Sequence, residues 1–424
     1  MKVGICSLGC KVNIYESELV TNILKNNNYT VVDFEDIADI YIINTCSVTN
    51  ESDKKSRKMI NRAKKNNPNA IIIVMGCYSQ VNAEDIDVDI VLGNKDKSKI
   101  VDIIEEYKKT KEKKKIIYDL TKVEFEKMEI NNFDNHTRAF VKIQDGCNAF
   151  CSYCIIPYVR GRVRSKAPKD VINEVTTLVE KGYKEIVLTG IHTGRYGIDI
   201  NTSLEELLNR LVKIPNIYRI RLSSIEINEI SDEIIDLIAT NPKIANHLHI
   251  PVQALSNKVL KAMNRPYTIE EYKERIKYTR AKIPNISIST DLIVGFVGED
   301  DETFEKSFKE LDDIAFSFLH IFPYSRKSGT KADKMDGHID ERIKKERLKK
   351  ISDYEKQFTL AYHQSFINKD VEVLVEKTDD NYSYGYTKEY IYVQIEGKYP
   401  IGDIIKANIK YVSDEKVVGI YVTK

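Results

Sequence analysis

The sequence predicts an α/β protein in three parts: an N-terminal doubly wound α/β domain, a partial TIM-barrel core and a small C-terminal all-β barrel. Three observations predict it. Short apolar runs alternate with amphipathic stretches over residues 1–107, a second series of such units begins at Phe140, and period-two alternation takes over from Asp370. The first two patterns suit parallel strands with helical crossovers, and the third suits strands joined by tight turns. Domains are accordingly expected at 1–110, 137–366 and 367–424, with 111–136 as a linker.

Composition bounds the function. At 424 residues the chain has room for two or three domains, and 42% apolar content is ample for their cores. Lys and Arg number 65 against 64 Asp and Glu. A net charge of +1 gives no global basic field, so any RNA contact has to come from local patches. No apolar run approaches a membrane span, and Met1–Ser7 reads as a strand rather than a signal peptide. Seven cysteines in clustered spacing fit ligand thiols in a reducing cytoplasm better than disulfides.

In the first domain strands are expected at Lys2–Leu8, Val31–Phe34, Asp39–Asn44, Ala70–Met75 and Val88–Leu92. Helices are expected at Tyr15–Asn26, Asp53–Asn66 and Lys99–Lys108. Cys10, Cys46 and Cys77 each fall just past a strand's carboxyl end. In an open parallel sheet those ends share one edge, where ligands bind, so the three thiols are expected to converge as ligands. Cys6 lies inside the first strand and reads as a core residue. Lys108–Lys115 carries six lysines and, with Asn131–Asn135, reads as a solvated connector.

The core is expected to form strands at Phe140–Gln144, Glu185–Leu188, Tyr218–Leu222, His247–Val252, Ser287–Val294 and Phe318–Phe322. Its helices are expected near Lys169–Lys181, Leu204–Val212, Asp232–Ala239, Ile269–Lys282 and Asp301–Leu311, with a charged helix over 340–366. In a barrel of this kind, chemistry sits at the carboxyl ends of the strands. Cys147, Cys151 and Cys154 follow the first strand directly. Three soft thiols within eight residues suit an iron–sulfur cluster or zinc, and a fourth ligand is missing from the loop. The later strand ends bring Thr189-Gly190, Ser224 with Glu226, Gln253 and Asp291 to the same face. His247 and His249 read as interior histidines. Arg160, Arg162 and Arg164, three arginines in five residues, are candidates for phosphates of an RNA substrate.

The last domain is expected to pair Val371–Val375, Tyr390–Ile395, Ile404–Ile409 and Val417–Val422 around turns at Gly385, Gly397 and Gly402 in a five-stranded barrel. Its eight tyrosines suit base stacking or simply strand packing.

The Cys147-x3-Cys-x2-Cys154 loop, with Tyr153 before its third cysteine, resembles the signature of the radical S-adenosylmethionine (SAM) superfamily. Gly9-Cys-Lys-Val-Asn13, Asn44-Thr-Cys-Ser-Val48, Gly76-Cys77, Arg219–Glu226, His247–Gln253 and Phe322-Pro-Tyr-Ser325 resemble the methylthiotransferases of that superfamily. The resemblance covers nearly the whole chain. It implies an auxiliary-cluster domain, a radical SAM core and a C-terminal TRAM domain. It further implies two [4Fe-4S] clusters, one on Cys147, Cys151 and Cys154 and one on Cys10, Cys46 and Cys77. SAM would lie near Tyr153, Thr189, Gly190, Ser224, Glu226, Gln253 and Asp291. The implied substrate is tRNA at the anticodon stem-loop, with an electron-donor protein as partner and no membrane.

Thr189–Gly197 resembles the branch that methylthiolates C2 of N6-threonylcarbamoyladenosine. N6-isopentenyladenosine, or an aspartate of a ribosomal protein, is the alternative substrate within the family. An RNA-binding iron–sulfur regulator is the alternative from another class. Two loops depart from the family pattern, Gln253-Ala-Leu-Ser256 and Gly295-Phe-Val-Gly-Glu-Asp300. Both flank the implied SAM pocket without removing a ligand.

Overall fold

The computed structural model describes residues 1–424 apart from 131, 134, 135, 423 and 424. Of the connector Asn131–Asn135, therefore, Asn131, Asp134 and Asn135 lie outside the described residues. The N-terminal domain is a six-stranded sheet of β1 (Lys2–Ser7), β2 (Thr30–Val32), β3 (Ile40–Thr45), β4 (Ile71–Gly76), β5 (Ile90–Leu92) and β6 (Lys114–Ile116). The strands run parallel in the order β2-β1-β3-β4-β5-β6. Alternation along β3 divides its side chains between two cores. Ile40 and Ile42 pack with Val20, Leu24, Ile100 and Ile104 from helices Lys11–Asn26 and Ile100–Thr110. Tyr41 and Ile43 pack with Ile60 and Ala63 of helix Asn50–Asn66 on the opposite face. Helices on both faces make the sheet doubly wound, and its strand order reverses between β1 and β3. That reversal opens a crevice at the carboxyl ends of the two strands, where Cys10 and Cys46 fall.

One difference concerns the connector. β6 lies within it, pairing with β5 at the sheet edge. The basic run is therefore partly structural: Lys113 bonds Asp87 at 2.5 Å and Lys115 bonds Glu84 at 2.8 Å. Hydrophobic patterning missed this strand because an edge strand rich in lysine avoids further pairing and carries no apolar run.

The core opens with β7 (Ala139–Lys142). The short pair β8 (Gln144–Asp145) and β9 (Arg164–Ser165) follows, running antiparallel with Asp145 opposite Arg164. This pair pins both ends of the cysteine loop. Then come β10 (Glu185–Thr189), β11 (Arg219–Leu222), β12 (His247–His249), β13 (Ser287–Val294) and β14 (Phe318–Pro323). Two parallel three-stranded sheets, β7-β10-β11 and β12-β13-β14, are stitched by single parallel bridges at Ile220–Ile244 and Ser224–His249. The result is a six-stranded open barrel with strands in sequence order. The long helix Glu341–Gln364 closes against it, and Arg347 holds the Glu299 backbone carbonyl at 2.7 Å.

The C-terminal barrel comprises β15 (Asp370–Thr378), β16 (Tyr382–Tyr386), β17 (Tyr392–Glu396), β18 (Ile404–Val412) and β19 (Val417–Tyr421), closed in the order β15-β16-β17-β19-β18. Gly385, expected in a turn, lies inside β16. A β-carbon there would stand 1.8 Å from the Leu374 carbonyl oxygen, beside a register shift in β15.

The turn after β16 docks into the core. Arg221 donates to the Thr387 and Lys388 carbonyls at 3.0 and 3.2 Å, and Arg219 donates to the Glu372 carbonyl at 3.1 Å. Buried Glu185 anchors both arginines. Burial works against its charge, but Arg221, Arg219 and Arg138 outweigh burial and hold the carboxyl down at about 2. Tyr390 packs against His247 at a ring distance of 4.9 Å, and Tyr386 stacks on Tyr390 at 4.6 Å. These two tyrosines serve the domain junction, while Tyr392 stays exposed. Among the described residues, no helix is long and apolar enough to cross a membrane.

Candidate active site

The N-terminal thiols gather at the switch point through two glycines at positive φ and one asparagine. Gly9, at φ +96°, lets the chain turn so tightly that a β-carbon there would meet Cys46 Sγ at 2.8 Å. Gly76, at φ +104°, lies so close to β3 that a β-carbon would meet the Thr45 carbonyl oxygen at 2.6 Å. Asn13 donates to the Leu8 and Thr45 carbonyls at 2.6 and 3.0 Å and so ties the ends of β1 and β3 together. Cys10, Cys46 and Cys77 are thereby near enough to feel one another's charge. Burial pushes the Cys10 and Cys46 thiols up, and the neighbouring Cys77 adds to both shifts.

The second set follows β7. Gly146, at φ +72°, turns the chain into the loop, and Cys147 N–H bonds the Gly161 carbonyl at 3.0 Å. Cys147 Sγ lies 3.2 Å from His192 Nδ1, whose Nε2 is 2.9 Å from Glu229. Burial pulls the His192 imidazole down, but Cys147 and Glu229 outweigh it and hold the ring up at about 10. Cys151 Sγ accepts a hydrogen bond from Arg265 Nη1 at 3.3 Å, and the same guanidinium pairs with Glu226. Burial pushes Cys154 up to about 12, with Cys151 and Cys147 adding to it. Cys151, His192, Glu226, Glu229 and Arg265 line a cavity of about 280 Å³.

Among the described residues, no three His, Cys, Asp or Glu side chains stand close enough to grip a single metal ion. Each thiol set nevertheless has the chemistry for a cluster, which is wider than an ion: soft donors brought near one another, with Cys46 and Cys77 buried, Cys147, Cys151 and Cys154 half-buried and Cys10 exposed. Metal binding would also draw the raised thiols into the thiolate form.

One short helix, Ile156–Arg160, connects the two sets. Cys77 packs with Ile155 and Val159, directly after Cys154. Arg160 ends that helix fully buried, with Nε 3.3 Å from Cys77 Sγ and Nη1 2.9 Å from Glu16. Arg164 is buried as well and pairs with Asp145 at 3.1 Å. This corrects the reading of the arginine run as a phosphate grip. Arg160 and Arg164 are taken by buried carboxylates. Arg162 alone is exposed, with its guanidinium 4.7 Å over Phe150.

Of the other expected residues, most end or follow core strands while Asp291 lies within β13, and they do not all meet in the cavity. Glu226 lines it; Tyr153 instead packs edge-on to Phe296. Thr189 ends β10 with its carbonyl bonded to Ile143 N–H, and Gly190 sits where a β-carbon would come within 2.9 Å of Gln144. Ser224 is exposed and bridges to His249. Gln253 takes a left-handed turn at φ +62° and bonds the Asp291 carbonyl, while the Asp291 carboxylate stands 3.3 Å from His249. His247 and His249 both contact Ser289, in keeping with interior histidines. Sequence reasoning did not single out His192, Glu229, Arg265 or Glu16. His192 lies in a loop already of interest, whereas Arg265 and Glu16 acquire their partners only through tertiary contacts.

Comparison with known proteins adds independent findings. The family model described as "Radical SAM superfamily" matches residues 141–311, and "Uncharacterized protein family UPF0004" matches residues 2–93. The chain is 41% identical to threonylcarbamoyladenosine tRNA methylthiotransferase MtaB of Bacillus subtilis, covering 96% of this chain and 93% of that protein. It is 36% identical to the tRNA-2-methylthio-N(6)-dimethylallyladenosine synthase of Thermodesulfovibrio yellowstonii, covering 96% and 95%. Among solved structures, the radical S-adenosylmethionine methyltransferase TsrM of Kitasatospora setae shares the fold. Its TM-score is 0.55 at 13% identity, over 76% of this chain and 72% of that one.

Proposed function

This chain belongs to the radical SAM methylthiotransferase family, whose members use SAM and [4Fe-4S] clusters, and from that premise we propose that it methylthiolates C2 of N6-threonylcarbamoyladenosine next to the anticodon of tRNA. The observation that carries the reading is the pair of three-thiol sets after strand ends of two sheets, connected by one short helix that follows Cys154 and packs on Cys77. In this reading Cys147, Cys151 and Cys154 hold one cluster, and Cys10, Cys46 and Cys77 hold the other. Bound there, one cluster would supply the electron that cleaves SAM and the other would hold the sulfur that is inserted.

The chain's own residues bind and shield. Glu226 would exchange Arg265 for the ammonium or ribose of SAM at the cavity mouth. Thr189, Gly190, Ser224, Gln253 and Asp291 would line the rest of the strand-end face, with Tyr153 supporting the loop. Arg162 is the arginine of its run left to meet the tRNA anticodon stem-loop. The domains run 1–110, 137–366 and 367–424 around a connector at 111–136, with β6 of the connector completing the first sheet. The enzyme would act in the cytoplasm, with electrons from a partner protein.

The similarity to a dimethylallyladenosine synthase favours N6-isopentenyladenosine as the second reading. Mass spectrometry of tRNA nucleosides from cells lacking the gene separates the two. The expected result is loss of 2-methylthio-N6-threonylcarbamoyladenosine, with its unthiolated precursor accumulating. Loss of the isopentenyl counterpart alone would overturn the substrate assignment.

A further inference from the structure

The buried side chains around Arg160 carry an unbalanced charge. Lys97, Lys142, Arg160 and Arg164 are all buried, and their carboxylate partners are Glu16 and Asp145. Four cationic side chains thus share two carboxylates where water is excluded. Burying charge without a counter-charge is costly, so an excess of this sign calls for a negative group nearby.

The geometry shows where that group belongs. Arg160 Nη1 meets Glu16 and Asp145, and Nη2 meets Glu16 and Asn13. Its Nε–H points instead to Cys77 Sγ at 3.3 Å, and Asn94 Nδ2 approaches the same sulfur at 3.6 Å. The Asn13 Oδ1 that accepts from Arg160 at 2.6 Å is also 3.9 Å from Cys10 Sγ. One guanidinium therefore touches one thiol of the N-terminal set directly, and its partner Asn13 lies beside a second. A [4Fe-4S] core held on three thiolates is net anionic, and more so when reduced, so it would offset part of this excess.

We propose that Arg160 is the outer-sphere donor of the N-terminal site: its Nε–H hydrogen-bonds the Cys77 thiolate, and its charge, with those of Lys97 and Lys142, raises the reduction potential of the cluster held there. The inference rests on the reading of Cys10, Cys46 and Cys77 as cluster ligands. Hydrogen bonds to the sulfurs and local net charge are the two levers by which a protein sets such a potential. A cation near the cluster favours the reduced, more negative state. Arg160 also belongs to the segment that carries the other three thiols. The environment of one cluster is thus completed by the chain segment that holds the other.

The test uses the full chain with C147A, C151A and C154A, reconstituted anaerobically so that only the N-terminal cluster contributes to the spectra. A redox titration followed by electron paramagnetic resonance reads its potential, with iron and sulfide measured alongside. Arg160→Gln should move the potential to more negative values, and Arg160→Lys should move it less, in the same direction. Glu16→Gln removes one neighbouring negative charge with little change of shape and should move it the opposite way.

Full iron loading with an unmoved potential in R160Q overturns the inference while leaving the ligand assignment intact. Should R160Q load no iron, E16Q decides, and an unmoved potential there overturns it equally. A parent triple-alanine chain that binds no iron would sink the ligand assignment and this inference together.

Discussion

The two thiol sets reach similar compositions by opposite routes. Cys147, Cys151 and Cys154 come from one loop pinned by β8 and β9, and Cys151 lines a cavity of about 280 Å³. Cys10, Cys46 and Cys77 come from three strand ends of one sheet, and Cys77 faces a closed, charged interior supplied partly by the core domain. The local loop needs its own hairpin and leaves room for a small molecule at its mouth. The assembled site needs an entire sheet and a docked neighbour. The first is suited to admitting a co-substrate, and the second to holding a group under the control of another domain.

Removing each set is the sharpest way to break this comparison. C147A/C151A/C154A should abolish SAM cleavage altogether and leave one four-iron cluster, as read by product chromatography and iron analysis. Continued cleavage would refute the assignment of the loop. C10A/C46A/C77A should also leave one cluster but retain SAM cleavage, while thiolation of tRNA stops. Intact thiolation in that variant would remove the N-terminal set from the reaction.

The contrast also explains what the sequence made legible. The core loop reads directly because its three thiols fall within one short stretch of the chain. The N-terminal set reads only through topology, since each cysteine alone is an ordinary strand-end residue. Most strands were visible as apolar runs; β6 was not, because Lys114-Lys-Ile116 has too little apolar character to mark an edge strand. The arginine run misled for a related reason. A cationic cluster looks like a phosphate site until its carboxylates are known, and Glu16 lies 144 residues before Arg160. Arg265 and Glu229 were illegible in the same way. Their roles come from contacts that no local pattern encodes.

A smaller effect tests the backbone shared by both sites. Gly76 and Gly146 each precede a cysteine with positive φ, and in each case a β-carbon would collide with backbone. At Gly146 it would stand 1.9 Å from the Arg162 carbonyl oxygen, and at Gly76 2.6 Å from that of Thr45. Strain of this kind costs about 1–3 kcal/mol before the clash is relieved. Gly146→Ala should lower iron at the core loop and SAM cleavage with it. Gly76→Ala should lower iron at the N-terminal set and spare cleavage. Equal losses at both sites in either variant would show that the two sites are not built independently.

The smallest effect concerns what the open site admits. Glu226 pairs with Arg265, and Arg265 bonds Cys151, so the carboxylate lies one side chain from the loop thiols and faces the cavity. A carboxylate there can accept from an ammonium or from ribose hydroxyls, and hydrogen bonds to charged groups contribute about 1.5–3 kcal/mol. Glu226→Gln keeps the shape but loses the charge, so SAM should bind roughly tenfold more weakly, equivalent to about 1.4 kcal/mol. Isothermal calorimetry on the reconstituted protein reads this directly, and iron content should stay unchanged because no ligand is touched. Unaltered affinity would assign Glu226 to holding Arg265 alone. A fall in iron would instead make the Glu226–Arg265 pair part of the scaffold of Cys151. At the N-terminal site the corresponding carboxylate, Glu16, meets Cys77 through Arg160. Glu16→Gln should therefore leave SAM affinity where it is, so that one isosteric change in each region separates the site that binds SAM from the one that does not.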